Sequence, residues 1–338
     1  MKRVIFLALL LLGCWQASAA PPPVDVYVAG WSRGAVLWTN GVVQNLVNEN
    51  IRSGANSVFV VNNDVYVAGW KANSQDKRVA TLWKNGKDQE LTNSVSEAYS
   101  VYASGNDVYV AGNVYVAVDE ENSQWKAVAV LWKNGTAQNL TDGNHHAAAA
   151  SVFVSGNDVY VVGWEENSPG NAVAKLWKND VAQSLTDGSY GVEVSSIFVS
   201  GNDVYVSGTE KNSQGDIVAI LWKNGKVQNL SDGNHDAIAS SIYVSGDDVY
   251  VVGNEANSQG NSVAMLWKNG VAQNLTDGNY NAGANSVFVL GDDVYVAGAE
   301  QNSQGNIVAK LWENGIVQNL TDGNYQAKAY SVFVVTRQ

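Results

Sequence analysis

Short apolar runs separated by polar turn residues recur along the chain from residue 24 onward. The runs "SIFV", "DVYVSG", "IVAILW" and "VQNLS" follow one another from Ser196, and each has the length and β-branched content of a strand. "SGN" separates the first two runs and "KNGK" the last two; Asn-Gly is a strong hairpin signal. The connections "TEKNSQGD" and "DGNHDAIA" are longer and polar. The pattern predicts a unit of four antiparallel strands.

The second strand of this unit has apolar side chains at successive positions, at Val204, Tyr205 and Val206. A strand with one solvated face should alternate between apolar and polar residues. We therefore expect both faces of each four-stranded sheet to be buried by neighbouring sheets.

Seven copies of the unit are present. The "LWKNG" motif recurs every 45 residues from Leu131 onward. Sheets of four strands, repeated at this period and buried on both faces, are typical of propeller blades. The copies of "DVYVAG" begin at Asp25, Asp64, Asp107, Asp158, Asp203, Asp248 and Asp293.

The two ends of the repeat series are complementary. The series begins with "VDVYVAG" at Val24, a second strand without a first, and ends with "YSVFVV" at Tyr330, a first strand without a second. Pairing of the two ends would complete one blade and remove the exposed edges, whereas a linear solenoid would need capping repeats. We predict an all-β, seven-bladed β-propeller with four antiparallel strands per blade. The C-terminal strand closes the ring by pairing with the N-terminal three.

The first residues have the layout of an export signal. Lys2 and Arg3 precede the apolar run "VIFLALLLL", which is too short to span a bilayer as a stable helix. "ASA" favours cleavage after Ala19, whereas "LLGC" resembles a lipobox that would lipidate Cys14. The predicted domains are a signal at 1–19 (or 1–13), a Pro-rich linker at 20–23 and the propeller at 24–338. We expect an exported protein that is secreted, periplasmic or attached to the cell envelope, with lipid at Cys14 as its only membrane link.

The "DVYVAG", "LWKNG" and "NLTDG" repeats resemble those of exported bacterial seven-bladed β-propeller proteins with near-identical tandem repeats. The resemblance covers the chain after its leader. It implies the fold and export; propellers host binding, scaffolding and catalysis alike, so it does not assign an activity.

Composition and motifs argue against several classes of function. The net charge of -12 is the wrong sign for a protein that neutralises nucleic-acid phosphates. No metalloprotease, nucleophile-elbow, phosphate-loop or dinucleotide motif is present. The one-off charged residues Arg33, Arg52, Glu97, Glu193 and Lys328 form no recognisable set in the sequence. We expect no enzyme activity, no cofactor and no metal.

The two long connections of each unit should emerge on one face, which we take as the candidate ligand-binding face. Its residues could equally be turn and rim residues that bind nothing. The seven "LW" tryptophans are expected between blades rather than as sugar platforms. The candidate ligand-binding residues are His145, Tyr190, His235, Tyr280, Tyr325, Glu165, Glu210, Glu255, Glu300, Trp31, Trp70 and Trp164.

These features favour a monomeric, non-catalytic module that binds a protein or surface partner through its long-loop face. The alternative is a multivalent lectin with repeated glycan sites between the blades. The identity of the partner, protein or glycan, stays open at this point.

Overall fold

The structure, a computed structural model, describes residues 23–119, 124–168 and 171–337. The predicted leader, both of its cleavage alternatives and Cys14 lie outside these residues. Within them, 28 β-strands form seven four-stranded antiparallel sheets. No helix in the described ranges is long and apolar enough to cross a membrane.

The chain begins with three strands, continues with six groups of four, and ends with one. The first three are β1 (Val24–Ser32), β2 (Ala35–Thr39) and β3 (Val42–Asn45). The next two groups are β4 (Ser53–Val61), β5 (Asp64–Ala72), β6 (Arg78–Lys84), β7 (Lys87–Glu90), and β8 (Ser96–Ser104), β9 (Asp107–Asp119), β10 (Gln124–Lys133), β11 (Thr136–Asn139).

The remaining strands repeat the same order. They are β12 (Ala147–Ser155), β13 (Asp158–Ser168), β14 (Asn171–Lys178), β15 (Val181–Ser184); β16 (Val192–Ser200), β17 (Asp203–Lys211), β18 (Ile217–Lys223), β19 (Lys226–Asn229); β20 (Ala237–Ser245), β21 (Asp248–Ala256), β22 (Ser262–Lys268), β23 (Val271–Asn274); β24 (Ala282–Leu290), β25 (Asp293–Gln301), β26 (Ile307–Glu313), β27 (Ile316–Asn319); and finally β28 (Ala327–Thr336).

Blade 1 contains both ends of the chain. Its strand order is β28-β1-β2-β3, and β28 pairs with β1 from Val24 opposite Thr336 to Ser32 opposite Ala327. The other blades, numbered 2 to 7 in chain order, each consist of four consecutive strands. The predicted seven-bladed ring and its closure by the C-terminal strand are therefore confirmed.

The closing blade has its own ion pair. In blades 2 to 6 the lysine of "LWK" forms an ion pair with the first aspartate of the second strand, as Lys84 does with Asp64 at 2.7 Å. Blade 1 has Thr39 at the lysine position. In this blade Arg337 forms the ion pair in place of the lysine, and its Nη2 lies 2.7 Å from Oδ1 of Asp25. The hydrogen bonds from Asn40 and Arg337 hold the pKa of Asp25 below its usual value.

The hydrophobic core lies between the blades. Each of seven clusters combines residues of two adjacent blades; one joins Tyr66 and Leu82 of blade 2 to Val110 and Trp132 of blade 3. The expected position of the "LW" tryptophans between blades is confirmed, since none is more than 2% exposed. These residues are Trp38, Trp83, Trp132, Trp177, Trp222, Trp267 and Trp312.

A β-bulge interrupts the innermost strand of every blade, opposite the glycine of the second strand. In blade 7, a Cβ added at Gly298 would lie 2.2 Å from the carbonyl oxygen of Gly283 and 2.9 Å from the ring of Trp312. The bulge and the tryptophan together leave no room for a side chain there. The equivalent glycines are Gly30, Gly69, Gly112, Gly163, Gly208 and Gly253.

We expect Gly298→Ala to lower the free energy of unfolding by about 2 kcal/mol or more, because both neighbours of the new methyl group are fixed by packing. Gly283→Ala, in the same blade, is the matched control. Its Cβ would meet nothing closer than 3.8 Å, so its effect should stay within about 0.5 kcal/mol. Urea unfolding of both variants measures the difference. Equal stabilities would show that the bulge does not exclude a side chain.

Candidate functional site

Both long connections of each blade lie on one face, as the sequence predicted. In blade 7, Asn302 of the loop after β25 donates through Nδ2 to the carbonyl oxygen of Gly323, in the loop after β27, at 3.3 Å. Asn306 donates to the same oxygen at 2.9 Å. We call this side of the ring the long-loop face.

A cavity of about 740 Å³ occupies the centre of the ring. Seven of its nine lining serines occupy equivalent positions on the innermost strands, one in each blade, and we call these seven the serine ring. The seven residues that immediately precede these serines also line the cavity. We call the cavity the axial funnel. The serine ring consists of Ser57, Ser100, Ser151, Ser196, Ser241, Ser286 and Ser331.

The serine ring links each blade to the next. Ser57 Oγ accepts the backbone N–H of Val101 in the following blade at 3.2 Å, and Ser331 Oγ accepts that of Val58 at 3.1 Å. Six of the seven interfaces contain this bond, with lengths of 3.1 to 3.4 Å. The hydroxyls are therefore fixed in position around the axis.

An aromatic collar lies two residues further along the same strands. Because alternate residues of a strand share a face, the collar and the serine ring point the same way. Its seven rings contact one another in a closed circle, with centroids of neighbours 4.5 to 4.9 Å apart. The collar narrows the space around the ring axis beyond the serines. Its members are Phe59, Tyr102, Phe153, Phe198, Tyr243, Phe288 and Phe333.

The residue before each serine sits at the β-bulge, and we call this set the bulge residues. A β-bulge changes the direction of the side chain of its extra residue. All seven of these side chains line the axial funnel. The serine that follows is the same in every blade, whereas the bulge residue differs. In blade order 1 to 7 they are Tyr330, Asn56, Tyr99, Ala150, Ser195, Ser240 and Asn285.

A polar network that includes the lining residue Asn56 joins blades 2 and 3 beside the funnel. Arg78 Nη1 lies 2.6 Å from an Oε2 of Glu97, and Asn56 Nδ2 donates to Oε1 of the same carboxylate at 3.3 Å. The Arg78 guanidinium stacks over Trp70, 3.9 Å from the ring centroid. Residues from blades 2 and 3 therefore form a connected set.

Two of the three tyrosines that line the funnel, Tyr99 and Tyr330, lie close to this network. Burial, and then the nearby Glu97 carboxylate, raises the pKa of Tyr99 and the pKa of Tyr330 above the usual phenol value. Tyr99 donates its hydroxyl to Oδ1 of Asn113 at 3.5 Å. Both phenols therefore stay protonated donors at neutral pH.

The opposite wall is lined by small residues. Blades 4, 5 and 6 contribute Ala150, Ser195 and Ser240, with Trp164 and Glu193 beside them. Glu193, which the sequence left as a scattered charge, thus lines the funnel.

The predicted aromatic residues of the loops lie outside the axial funnel. Tyr190, Tyr280 and Tyr325 are exposed, and so are the imidazoles of His145 and His235. Arg33 stacks over Tyr325 with its guanidinium carbon 3.4 Å from the ring centroid. Blade 1 therefore covers one of the five rings with a cation.

The four predicted glutamates have two kinds of surroundings. Tyr190 lines a groove of about 730 Å³ between blades 4 and 5, together with Asp187 and Glu210. Glu165 pairs with Lys175 at 3.4 Å and Glu300 with Lys310 at 2.9 Å. The lysine position is occupied by Ile220 and Met265 in blades 5 and 6, so Glu210 and Glu255 have no such cation beside them.

The three predicted tryptophans have different surroundings. Trp164 lines the axial funnel, Trp70 carries the stacked Arg78, and Trp31 is half-buried on β1 opposite Lys328. Within the described ranges, no group of three or more His, Cys, Asp or Glu side chains is placed to hold a metal ion.

Sequence analysis missed the serine ring and the bulge residues. A signal was present, because the residue before "SVFV" or "SIFV" changes between copies while the serine does not. No sequence pattern indicated the Arg78–Glu97 ion pair, because its two residues belong to different blades.

Glu210 and Glu300 should respond oppositely to amide substitution at neutral pH. Burial, and then Asp187, raises the pKa of Glu210 in the folded state, so ionisation costs stability above that pKa. Glu210→Gln should stabilise the protein slightly, by less than about 1 kcal/mol. The gain should disappear as the pH falls below 4.5, the ordinary value, where both states are protonated.

Glu300→Gln is the matched variant, and it removes the charge partner of Lys310, which is only 12% exposed. It should destabilise the protein by about 1 kcal/mol. Thermal unfolding between pH 4 and 8 compares the two variants. Destabilisation by Glu210→Gln at neutral pH would contradict the assignment.

Comparison with known proteins supports the fold. No protein-family model matches the chain, and no curated protein matches it either. Among solved structures, a puromycin-hydrolyzing peptidase from Mycobacterium tuberculosis is similar, with a TM-score of 0.58 and 12% identity over 85% of this chain and 50% of that one. A puromycin hydrolase variant complexed with PGG has a TM-score of 0.60 and 9% identity, over 90% and 52%.

A subtype N10 neuraminidase-like protein of A/little yellow-shouldered bat/Guatemala/060/2010 is also similar. Its TM-score is 0.51, with 8% identity over 76% of this chain and 93% of that one. At these identities the similarities show the fold. The chain spans about half the length of the two puromycin-hydrolysing proteins.

These comparisons contradict the functional prediction made from the sequence. We expected a self-standing interaction module, or alternatively a multivalent lectin. Instead, similar folds occur in peptidases whose chains are about twice as long. The prediction placed the binding residues on the long loops, whose features repeat around the ring, and not at the axis.

Proposed function

We propose that this chain is an enzyme-associated propeller. The chain binds one short peptide in the axial funnel and has no catalytic centre of its own. A peptidase next to the chain carries out the catalysis. The observation that carries the proposal is that the bulge residues, all of which line the funnel, differ between blades while the serines beside them do not.

The dimensions of the funnel suit a small ligand. Its volume of about 740 Å³ lies within the range of small-molecule sites, about 300 to 1,000 Å³. The fixed serine ring and the aromatic collar narrow its inner end. A ligand would therefore enter from the long-loop face and stop at the serines.

The asymmetry of the funnel favours a single ligand in one orientation. The bulge residues of blades 1 and 3 are the large Tyr330 and Tyr99, whereas those of blades 4, 5 and 6 are the small Ala150, Ser195 and Ser240. Seven equal sites would need seven equal linings. Different side chains around one axis instead offer one set of contacts, so we expect one ligand per chain.

The surroundings of the funnel histidine support a non-catalytic role. Among the residues described as lining the funnel, His146 is the one imidazole, and its Nδ1 accepts the backbone N–H of Ala127 at 3.2 Å. Activation of a serine needs a base with a free lone pair for the hydroxyl proton, and the Nδ1 lone pair of His146 is already used by this bond. The similarity to peptidases about twice as long supports a division of labour with a separate catalytic unit.

We further propose that the chain acts outside the cytoplasm, because its first residues resemble an export signal. The net charge of -12 supports a role that does not involve nucleic acid.

Calorimetric titration with a panel of tripeptides tests the proposal. We expect one site per chain in the native protein. Ala150→Trp, which fills the open side of the funnel, should weaken binding about tenfold or more. Ala182→Trp, on the exposed outer strand of the same blade, should leave binding unchanged.

Two results would overturn the proposal. One is binding that Ala150→Trp leaves intact, or no binding to any tripeptide. The other is hydrolysis of aminoacyl nitroanilides by the purified chain, which would show a catalytic centre within it.

A further inference from the structure

The serine hydroxyls have protons that the protein does not use. A serine hydroxyl provides one donor and two acceptor lone pairs. In six of the seven serines, an Oγ lone pair already receives the backbone N–H of the next blade. A hydroxyl proton cannot point towards that amide hydrogen. It must point elsewhere, and the funnel is the open direction.

No acceptor for these protons is found among the described residues, since each serine-ring hydroxyl with a hydrogen bond takes part in it as an acceptor. Ser151 is only 9% exposed, yet it also lines the cavity. The other six serines are partly exposed. The inner end of the funnel therefore presents several O–H donors to a partner rich in lone pairs.

We infer that the serine ring binds an oxyanion group, a carboxylate or a phosphate, at the inner end of the axial funnel. In the context of the proposed function, on which this assignment of the ligand rests, the group is the C-terminal carboxylate of the peptide. The peptide enters carboxylate first, and its side chains lie against the bulge residues.

The charges around the funnel are compatible with an anion. Arg78 neutralises Glu97, and Lys328 lines an adjoining cavity that shares Asn285 and Tyr330 with the funnel. Glu193 is exposed at the rim. The ring itself is uncharged, so hydrogen bonds from hydroxyls hold the anion and the affinity should be modest. The titrations therefore extend to millimolar concentrations of ligand.

Ser241 is the position for a charge-reversing variant. Its Oγ accepts the N–H of Val287 at 3.3 Å, and the bulge residue beside it, Ser240, is small. Ser241→Asp and Ser241→Asn both keep an oxygen for that N–H and have nearly equal size. They differ in charge and in donors, because aspartate repels an anion whereas asparagine can still donate to it. Ser241→Asn is therefore the control for folding and shape.

The probes are trialanine, its C-terminal amide, and inorganic phosphate alone. We expect trialanine to bind about tenfold tighter than its amide, and phosphate to compete with it. Ser241→Asp should weaken the binding of trialanine and of phosphate about tenfold or more, and Ser241→Asn should change it less than about threefold. Calorimetry measures the peptides, and thermal unfolding with and without phosphate measures the anion.

The outcomes separate the two proposals. Equal binding of acid and amide, unaffected by Ser241→Asp, would overturn the serine-ring inference while the peptide function stands. Stabilisation by phosphate that Ser241→Asp abolishes, without binding of either peptide, would support the ring and overturn the peptide function. Absence of binding by all three probes would overturn both.

Discussion

The hydrogen bonds between β28 and β1 join the two ends of the chain, and the rest of the ring depends on them. The Arg337 side chain binds Asp25 across 312 positions of sequence, and the backbone N–H of Arg337 donates to Pro23. Without this pairing, blade 1 would lack its innermost strand. The serine ring and the aromatic collar would each lose one member, Ser331 and Phe333. An open ring would also leave an inter-blade core exposed to water.

Packing explains why most positions repeat. In every blade the backbone of the bulge lies against the glycine opposite it, and in four blades the buried tryptophan does so as well, so a side chain at this glycine would collide with them. The bulge residue is different, because its side chain lines the cavity. Asn56 and Asn285 use this position to reach the backbone of the next blade, whereas Tyr99 and Tyr330 narrow the funnel. Function can therefore vary at the axis without disturbing the blades.

The fold could be predicted from sequence, since strand period, Asn-Gly turns and the offset ends all depend on local chemistry. The "LW" tryptophans were also correctly placed, because a repeated apolar residue beside leucine belongs in a core. The site could not be predicted in the same way. Arg78 meets Glu97 only because adjacent blades pack face to face, and Ser57 becomes a member of a ring only after closure. The exposed loops, which carried Tyr190 and Glu210, were prominent in sequence, but the variable lining of the axis was not.

An intramolecular disulfide between the chain ends is the most direct test of ring closure. Val24 and Thr336 are direct partners across β1 and β28, and paired strands place such residues within reach of a disulfide. In a Cys14→Ser background, Val24→Cys with Thr336→Cys should oxidise to a monomeric cross-linked chain with a higher unfolding temperature. Val24→Cys with Asn139→Cys, on the outer strand of blade 3, should not cross-link within a chain. Failure of the first pair to form a disulfide within one chain, or its formation only between chains, would contradict the closed ring.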